Sequence, residues 1–453
     1  MNGKIELADL REVLRTPELQ KVAESAGVYS SSYEDVKDAT PTVAQRRRIR
    51  RSIGTDPVGV ASLMLDDEGV LFWNLDSAAR NRGARRRRLR RGVPESRAGE
   101  IVELYHYDKL EPNDVNTLLS DKDKELTPQQ GLWILSLKSP GTAAQTVVRS
   151  TIAPPISGKK KRLLFIHGTF SKTEAFFAGM EAAPGGKRAV KTLFDRYDEV
   201  LAFDHPTLSA SPVMNAFDLA RLLAKAEGPL DIVTHSRGGV VTRWLLEGIG
   251  LNGPGPYRAL LVGSPLAGTS LASPPRLKGA LDVFSNIGMV LKSTGALAVM
   301  YMPFLIVPLA LVRIASSVVS AAARTPLLDA GVSMIPGLNG QSRVSNHPEL
   351  MRLRAVRLAK PPEYFVVKSN FEPEDPGWKF WKYFRKDQLM DRGADLIFDG
   401  ANDLVVDTSS MNDIPGHDLP AARIHDFGTN KLVHHTNYFS QPQTLEFMLD
   451  RLK

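Results

Sequence analysis

The chain has 453 residues, a formal net charge of +8, 43% hydrophobic and 24% charged residues, and no cysteine. That length exceeds one ordinary core, so two domains or one large decorated domain are expected, with the composition of a soluble globular protein. Without cysteine there is no disulfide framework, no thiol nucleophile and no thiolate metal site.

The opening residues Met1 to Glu6 mix charges and lack the apolar core of a secretory signal, which points to a cytoplasmic protein. Residues 1–157 read as a separate α+β accessory region without a catalytic constellation. Two arginine runs stand out in it, Arg46–Arg51 and the denser Arg85–Arg91. Such runs suit an anionic membrane surface, for peripheral attachment, or an acidic partner; a solvated loop is the plainer alternative. No zinc-finger spacing or RNA-recognition signature accompanies them, so nucleic acid is not the expected partner. Val58–Leu65 and Val70–Trp73 flank an acidic turn in hairpin fashion, and Ile101–Tyr107 and Leu132–Leu137 are further strand candidates, with a polar helix between them. Thr151–Gly158 has linker composition.

From residue 158 to 453 the pattern changes. Leu163–Ile166, Val200–Phe203, Leu230–Val233 and Ala259–Val262 are short buried-type strands. Val190–Arg196, Val213–Glu227 and Arg237–Gly248 read as the helices between them. This alternation predicts an α/β fold with a mostly parallel sheet covered by helices on both faces. An excursion over about 270–345 interrupts it before the next strand, Tyr364–Val367. Within the excursion Ser293–Val312 carries no charge, but one crossing would separate strands of one sheet, and Pro303 and Pro308 would break the helix. A buried helical pair, an apolar lid and a flap dipping into a lipid interface are the readings that remain.

The strand Leu230–Val233 runs into Thr234-His235-Ser236-Arg237-Gly238-Gly239, after which a helical pattern begins. A sharp strand-to-helix turn of this kind lifts a serine hydroxyl above the sheet, and the new helix offers free N–H groups to developing negative charge. Thr234 stands where such turns prefer a smaller residue, which crowds the turn without forbidding it.

Four motifs in order carry a family resemblance: Leu163–Phe170 with its His167-Gly168 turn, the Thr234–Gly238 elbow, Gly263–Ser270, and the pair Asn402–Val406 and His434–Phe439. From about Arg162 to Lys453 the chain resembles the α/β-hydrolase superfamily, in particular its lipase-like and GPI-inositol-deacylase-like serine hydrolases. The resemblance implies a helical lid or cap over 270–345 and the chain order nucleophile, acid, base. Ser236 would be the nucleophile, Asp403 the acid, with Asp399 and Asp407 as competitors, and His435 the base, with His434 as its alternative. His425 is a weaker candidate in a strand, His235 should point away, and His167 should organise its own turn. Backbone N–H groups of Thr169 and Arg237 would form the oxyanion hole. The expected activity is cleavage of carboxylic esters, lipase- or esterase-like, on a hydrophobic acyl substrate, with phospholipase and acyltransferase as variants. No cofactor or metal is expected, because neither zinc nor Walker spacing is present. The opposing reading is a non-catalytic interaction protein using a hydrolase scaffold.

Overall fold

The computed structural model describes residues 7–25, 28–31, 58–67, 69–75, 99–108, 114–138, 147–152, 156–253, 255–272, 277–293, 304–305, 307–314, 335–342, 347–374, 377–378, 380–381, 398 and 400–452. Both arginine runs and Asp399 lie outside the described residues. The chain divides into two compact units, each discontinuous in sequence: 1–122 with 274–334 and 374–397, and 123–273 with 335–373 and 398–453.

In the first unit, β1 (Val28–Ser31), β2 (Val58–Leu65), β3 (Leu71–Asn74) and β4 (Glu100–Asp108) form an antiparallel sheet in the order β1-β4-β2-β3. The expected hairpin is β2–β3, with Leu65 opposite Leu71. The edge at β3 is covered by helix Leu277–Ser293, supplied by the excursion. The Asn286 carboxamide accepts from Leu71 N–H at 3.0 Å and donates to Leu71 C=O at 2.7 Å, as a neighbouring strand would. Asp282 accepts from Trp73 N–H at 2.7 Å, and Ser285 from the Trp73 indole at 3.0 Å. The described part of the uncharged run is a buried helical segment, with Leu305, Val307 and Leu309 to Val312 all buried. Gly288 lets Leu305 approach, since a Cβ there would fall 2.7 Å from its side chain. Residues 294–303 and 306 of that run lie outside the described residues. Among the described residues no helix is long and apolar enough to cross a membrane.

The second unit is built on an eight-stranded sheet. Its strands are β5 (Gly131–Leu137), β6 (Val147–Ile152), β8 (Arg162–Ile166), β9 (Glu199–Asp204), β11 (Leu230–His235), β12 (Tyr257–Val262), β13 (Glu363–Phe371) and β14 (Ile424–Asn430). The order is β14-β13-β12-β11-β8-β9-β5-β6, parallel except where β5 pairs antiparallel with β9 and β6. β5 and β6 precede residue 157, so the unit boundary falls earlier in the chain than the linker composition suggests. Both strands are only partly buried, and only long-range pairing with β9 reveals the sheet they join.

Both faces of the sheet are buried, which explains the continuous apolar runs. Leu163, Phe165, Val233 and Val262 point into one core, and Leu164, Ile166, Ile232 and Leu261 into the other. Helices Thr173–Ala182, Gly186–Arg196, Pro212–Leu222 and Pro442–Arg451 accompany the strands. The helix expected to reach Glu227 stops at Leu222, because Lys225–Glu227 (β10) pairs in parallel with Ser157–Lys159 (β7). Long-range pairing overrides local propensity there.

Candidate active site

The loops leaving β8, β11, β12 and β13 emerge at the carboxyl ends of the strands, where α/β sheets place their sites. Strand β11 ends at His235, Ser236 follows at φ 53°, and helix Gly238–Arg243 begins two residues later. A left-handed conformation in a non-glycine residue stores strain of order 1–3 kcal/mol and persists only where the surroundings dictate it. They do so here. Ser236 N–H donates to Val262 C=O at 2.9 Å, and a Cβ on Gly238 would fall 2.3 Å from Ile166 O. Thr234 fits because it is still strand, buried, with its hydroxyl donating to Leu260 C=O at 3.3 Å.

Two other non-glycine residues with positive φ occur among the described residues, Phe170 at 59° and Leu404 at 95°. Each lies one residue beyond a candidate site residue, Thr169 and Asp403. Backbone strain is thus concentrated in the three loops that the sequence motifs single out.

Asp403 is fully buried and its carboxylate accepts four hydrogen bonds: from Val405 and Val406 N–H at 3.1 and 2.9 Å, His435 Nδ1 at 2.8 Å and the Tyr438 hydroxyl at 2.9 Å. The His435 N–H also donates to Asp403 C=O at 2.9 Å. Because Nδ1–H donates to the carboxylate, the other ring nitrogen of the neutral imidazole is left as an acceptor. Gly263, at φ 54°, makes room for this junction. A Cβ on it would lie 2.8 Å from Tyr438 Cε2, 3.2 Å from Asp403 Oδ2 and 3.4 Å from His435 Nδ1.

His434 goes elsewhere. Its Nδ1 pairs with the Thr436 hydroxyl at 3.0 Å, its ring packs on Phe371, and burial pushes its pKa down to about 4. Asp407 is held by Ser270, accepting from its N–H at 2.8 Å and its hydroxyl at 2.9 Å. His425 lies in β14 against Phe427 and Phe447. His167 Nε2 accepts from His205 N–H at 3.0 Å, so its Nδ1 carries the proton and donates to Gly168 C=O at 2.9 Å. Burial lowers its pKa, keeping it neutral in that turn.

His235 departs from expectation. Rather than turning away, its Nε2–H donates to His435 C=O at 2.8 Å, and the two rings lie 4.7 Å apart. Burial, followed by the neighbouring His435, depresses its pKa to about 3, which suits a neutral donor.

The His-Gly turn closes against the elbow. A Cβ on Gly168 would fall 2.7 Å from Ser236 Cβ and 3.0 Å from His235 O, so glycine permits this approach. Among the described residues the backbone N–H groups of Thr169 and Arg237 have no acceptor. The Arg237 side chain is buried away from the elbow, donating to Ala210 C=O at 2.7 Å and to Asn215 Oδ1. Burial lowers its pKa to about 10.

Two groups supporting the turn have no motif in the sequence. The Gln341 carboxamide donates to Thr169 Oγ1 at 2.8 Å and to Gly337 C=O at 2.7 Å. Asp123, buried at the end of helix Asp114–Leu126, accepts from the N–H groups of Thr207, Leu208 and Ser209 at 2.7–2.9 Å. Thr207 in turn accepts from Phe170 N–H at 3.3 Å. Among the described residues no His, Asp or Glu cluster could hold a metal ion.

Strand order, strained elbow and surrounding loops define an α/β-hydrolase fold. Residues 138–453 match the family model described as Domain of unknown function (DUF7379), and the chain belongs to that family. A comparison with curated proteins finds no match. Among solved structures, the chain is similar to the mature lipase BlEst2 of Bacillus licheniformis, at 16% identity over 66% of this chain and 96% of that one, with a TM-score of 0.31. It is similar to lipase 1 from Pelosinus fermentans, at 12% identity over 65% and 98%, with a TM-score of 0.36. The Cif epoxide hydrolase from Acinetobacter nosocomialis gives 12% identity over 76% and 98%, with a TM-score of 0.34. Likeness at this level does not bear on substrate.

Proposed function

We propose that this protein is a serine hydrolase of carboxylic esters in which Ser236 is the nucleophile, His435 the base and Asp403 the residue that holds that base. The observation that carries the reading is the 2.8 Å bond from His435 Nδ1 to a buried Asp403 carboxylate, on a loop bonded to the strained elbow through His235. A serine hydroxyl is a poor nucleophile until a base takes its proton, and the base works only in the correct tautomer.

In the first half-reaction Ser236 Oγ bonds to the acyl carbon while its proton passes to His435 Nε2. The carbonyl oxygen becomes an anion held by the Thr169 and Arg237 N–H groups, each worth about 3 kcal/mol to the barrier by comparison with known oxyanion donors. Collapse breaks the ester C–O bond, and the leaving alcohol takes the proton from His435. Water then enters, gives a proton to His435, attacks the acyl-enzyme and releases the acid. Ser236 recovers its proton. A hydrophobic acyl group is the substrate that the uncharged Ser293–Val312 run suggests. The described part of that run is core of the first unit, however, so the acyl preference rests on the lipase-like motifs alone.

A fluorophosphonate probe tests the reading directly. Wild type should be labelled and Ser236→Ala should not. A folded wild type that resists labelling and hydrolyses none of a panel of short- and long-chain p-nitrophenyl esters would leave the fold as a non-catalytic scaffold.

A further inference from the structure

We propose that Tyr438 is a positioning residue for the proton relay: its hydroxyl fixes the charge and lone-pair geometry of Asp403 and thereby sets how strongly His435 takes a proton. The inference rests on the serine-hydrolase reading and adds a fourth member to its machinery. Tyr438 sits three residues beyond His435, on the short helical turn Tyr438–Ser440, and is buried. Its hydroxyl lies 2.9 Å from Asp403 Oδ2, the same oxygen that receives His435 Nδ1 at 2.8 Å. A carboxylate only accepts, so the tyrosine is the donor. Burial and then the Asp403 charge push its own ionisation far above the usual phenol range, and the donor is never lost at working pH.

The other Asp403 oxygen is fixed by Val405 and Val406 N–H. Tyr438 therefore governs the oxygen that faces the base. A carboxylate relieved of part of its charge by an extra donor attracts a proton less strongly and stabilises imidazolium less. Removing the hydroxyl should make Asp403 a stronger partner for protonated His435 and raise the pH at which His435 becomes a free base. The ionisable groups around this relay are His235, with its ring 4.7 Å from His435, His434 beside it in sequence, and Asp426, whose charge reaches Tyr438. Both neighbouring histidines are held neutral, at about 3 and about 4, so neither takes up a proton near neutral pH.

The test is Tyr438→Phe, which keeps the ring and deletes only the hydroxyl. The rate of fluorophosphonate inactivation is measured against pH, together with the downfield proton resonance of His435 Nδ1–H. The acid limb should move to higher pH by about half a unit to one unit, and the resonance should shift as the bond to Asp403 strengthens. Should the Phe variant fail to fold, a single fluorinated tyrosine at 438, a stronger donor of nearly the same size, should move the limb to lower pH. An acid limb and a resonance that stay in place in either folded variant would overturn the proposal. If wild type is not labelled at all, the hydrolase reading falls, and the resonance still reports whether Tyr438 controls the Asp403–His435 bond.

Discussion

His235, the residue before the nucleophile candidate, donates its Nε2–H to the backbone carbonyl of His435, the residue taken as base, at 2.8 Å. The elbow and the histidine loop are therefore joined directly and not only through the sheet. His235→Phe keeps most of the volume and leaves the His435 carbonyl without its donor. The expected loss is about 1–3 kcal/mol of stability, together with slower fluorophosphonate labelling. Unchanged unfolding midpoints and labelling rates would show the bond to be incidental.

Gly168→Ala should be far more damaging than its size suggests. The added methyl would meet Ser236 Cβ at 2.7 Å and His235 O at 3.0 Å, and the latter is backbone. Overpacking of this kind costs about 1–3 kcal/mol, and displacement of the Thr169 N–H should lower kcat about 100-fold. Gly400→Ala has nothing within 4 Å of the new methyl and should stay within about 0.5 kcal/mol of wild type. Equal effects from the two substitutions in chemical denaturation would refute the packing argument.

Acid should destabilise the protein partly through His434. Its folded pKa of about 4 lies below the ordinary 6.5, so the unfolded chain binds the extra proton first. The neutral-histidine contribution is complete above pH 6.5, falls with decreasing pH, and levels off near pH 4. The maximum slope for one such group is about 1.4 kcal/mol per pH unit. Urea unfolding at pH 7, 6 and 5 should show this decline, and His434→Gln should flatten it. An equally steep decline in the variant would assign the acid sensitivity to other groups.

Gln341→Ala should separate binding from turnover. The buried amide bonds both Thr169 Oγ1 and Gly337 C=O, and its loss frees the residue whose N–H would face the oxyanion. A donor that is no longer held in place should reduce kcat about tenfold while KM changes little. A rise in KM alone would make Gln341 a substrate contact instead.

The sequence revealed the central strands of the sheet because each is buried on both sides and reads as an uninterrupted apolar run, as in Leu163–Ile166. It singled out the turns around Ser236, Asp403 and His435 because such turns demand particular residues at fixed spacing. β5 and β6 were legible as strands but not as members of this sheet, since antiparallel edge strands carry no local mark of their partner. His435 could be favoured over His434 from the surrounding pattern, yet its contact with Asp403, 32 positions away, left no mark in the sequence. Tyr438 was visible in the same motif, three residues on, without any sign that its hydroxyl would turn back to the acid. Asp123 and Gln341 had no signal, because each acts across at least 84 residues of sequence.

The pairing of Leu71 with Asn286 also sets an order of events during synthesis. These residues are 215 positions apart, so at ribosomal speed the edge of β3 emerges roughly 10–40 s before the side chain that covers it. During that interval most of the second unit's sheet is made, while β3, with Leu71, Phe72 and Trp73, has β2 on one side and nothing yet on its outer edge. The beginning of this chain is therefore among the last parts able to finish folding, and a nascent protein stalled before Asp282 should be a preferred client for chaperones that shield exposed strand edges.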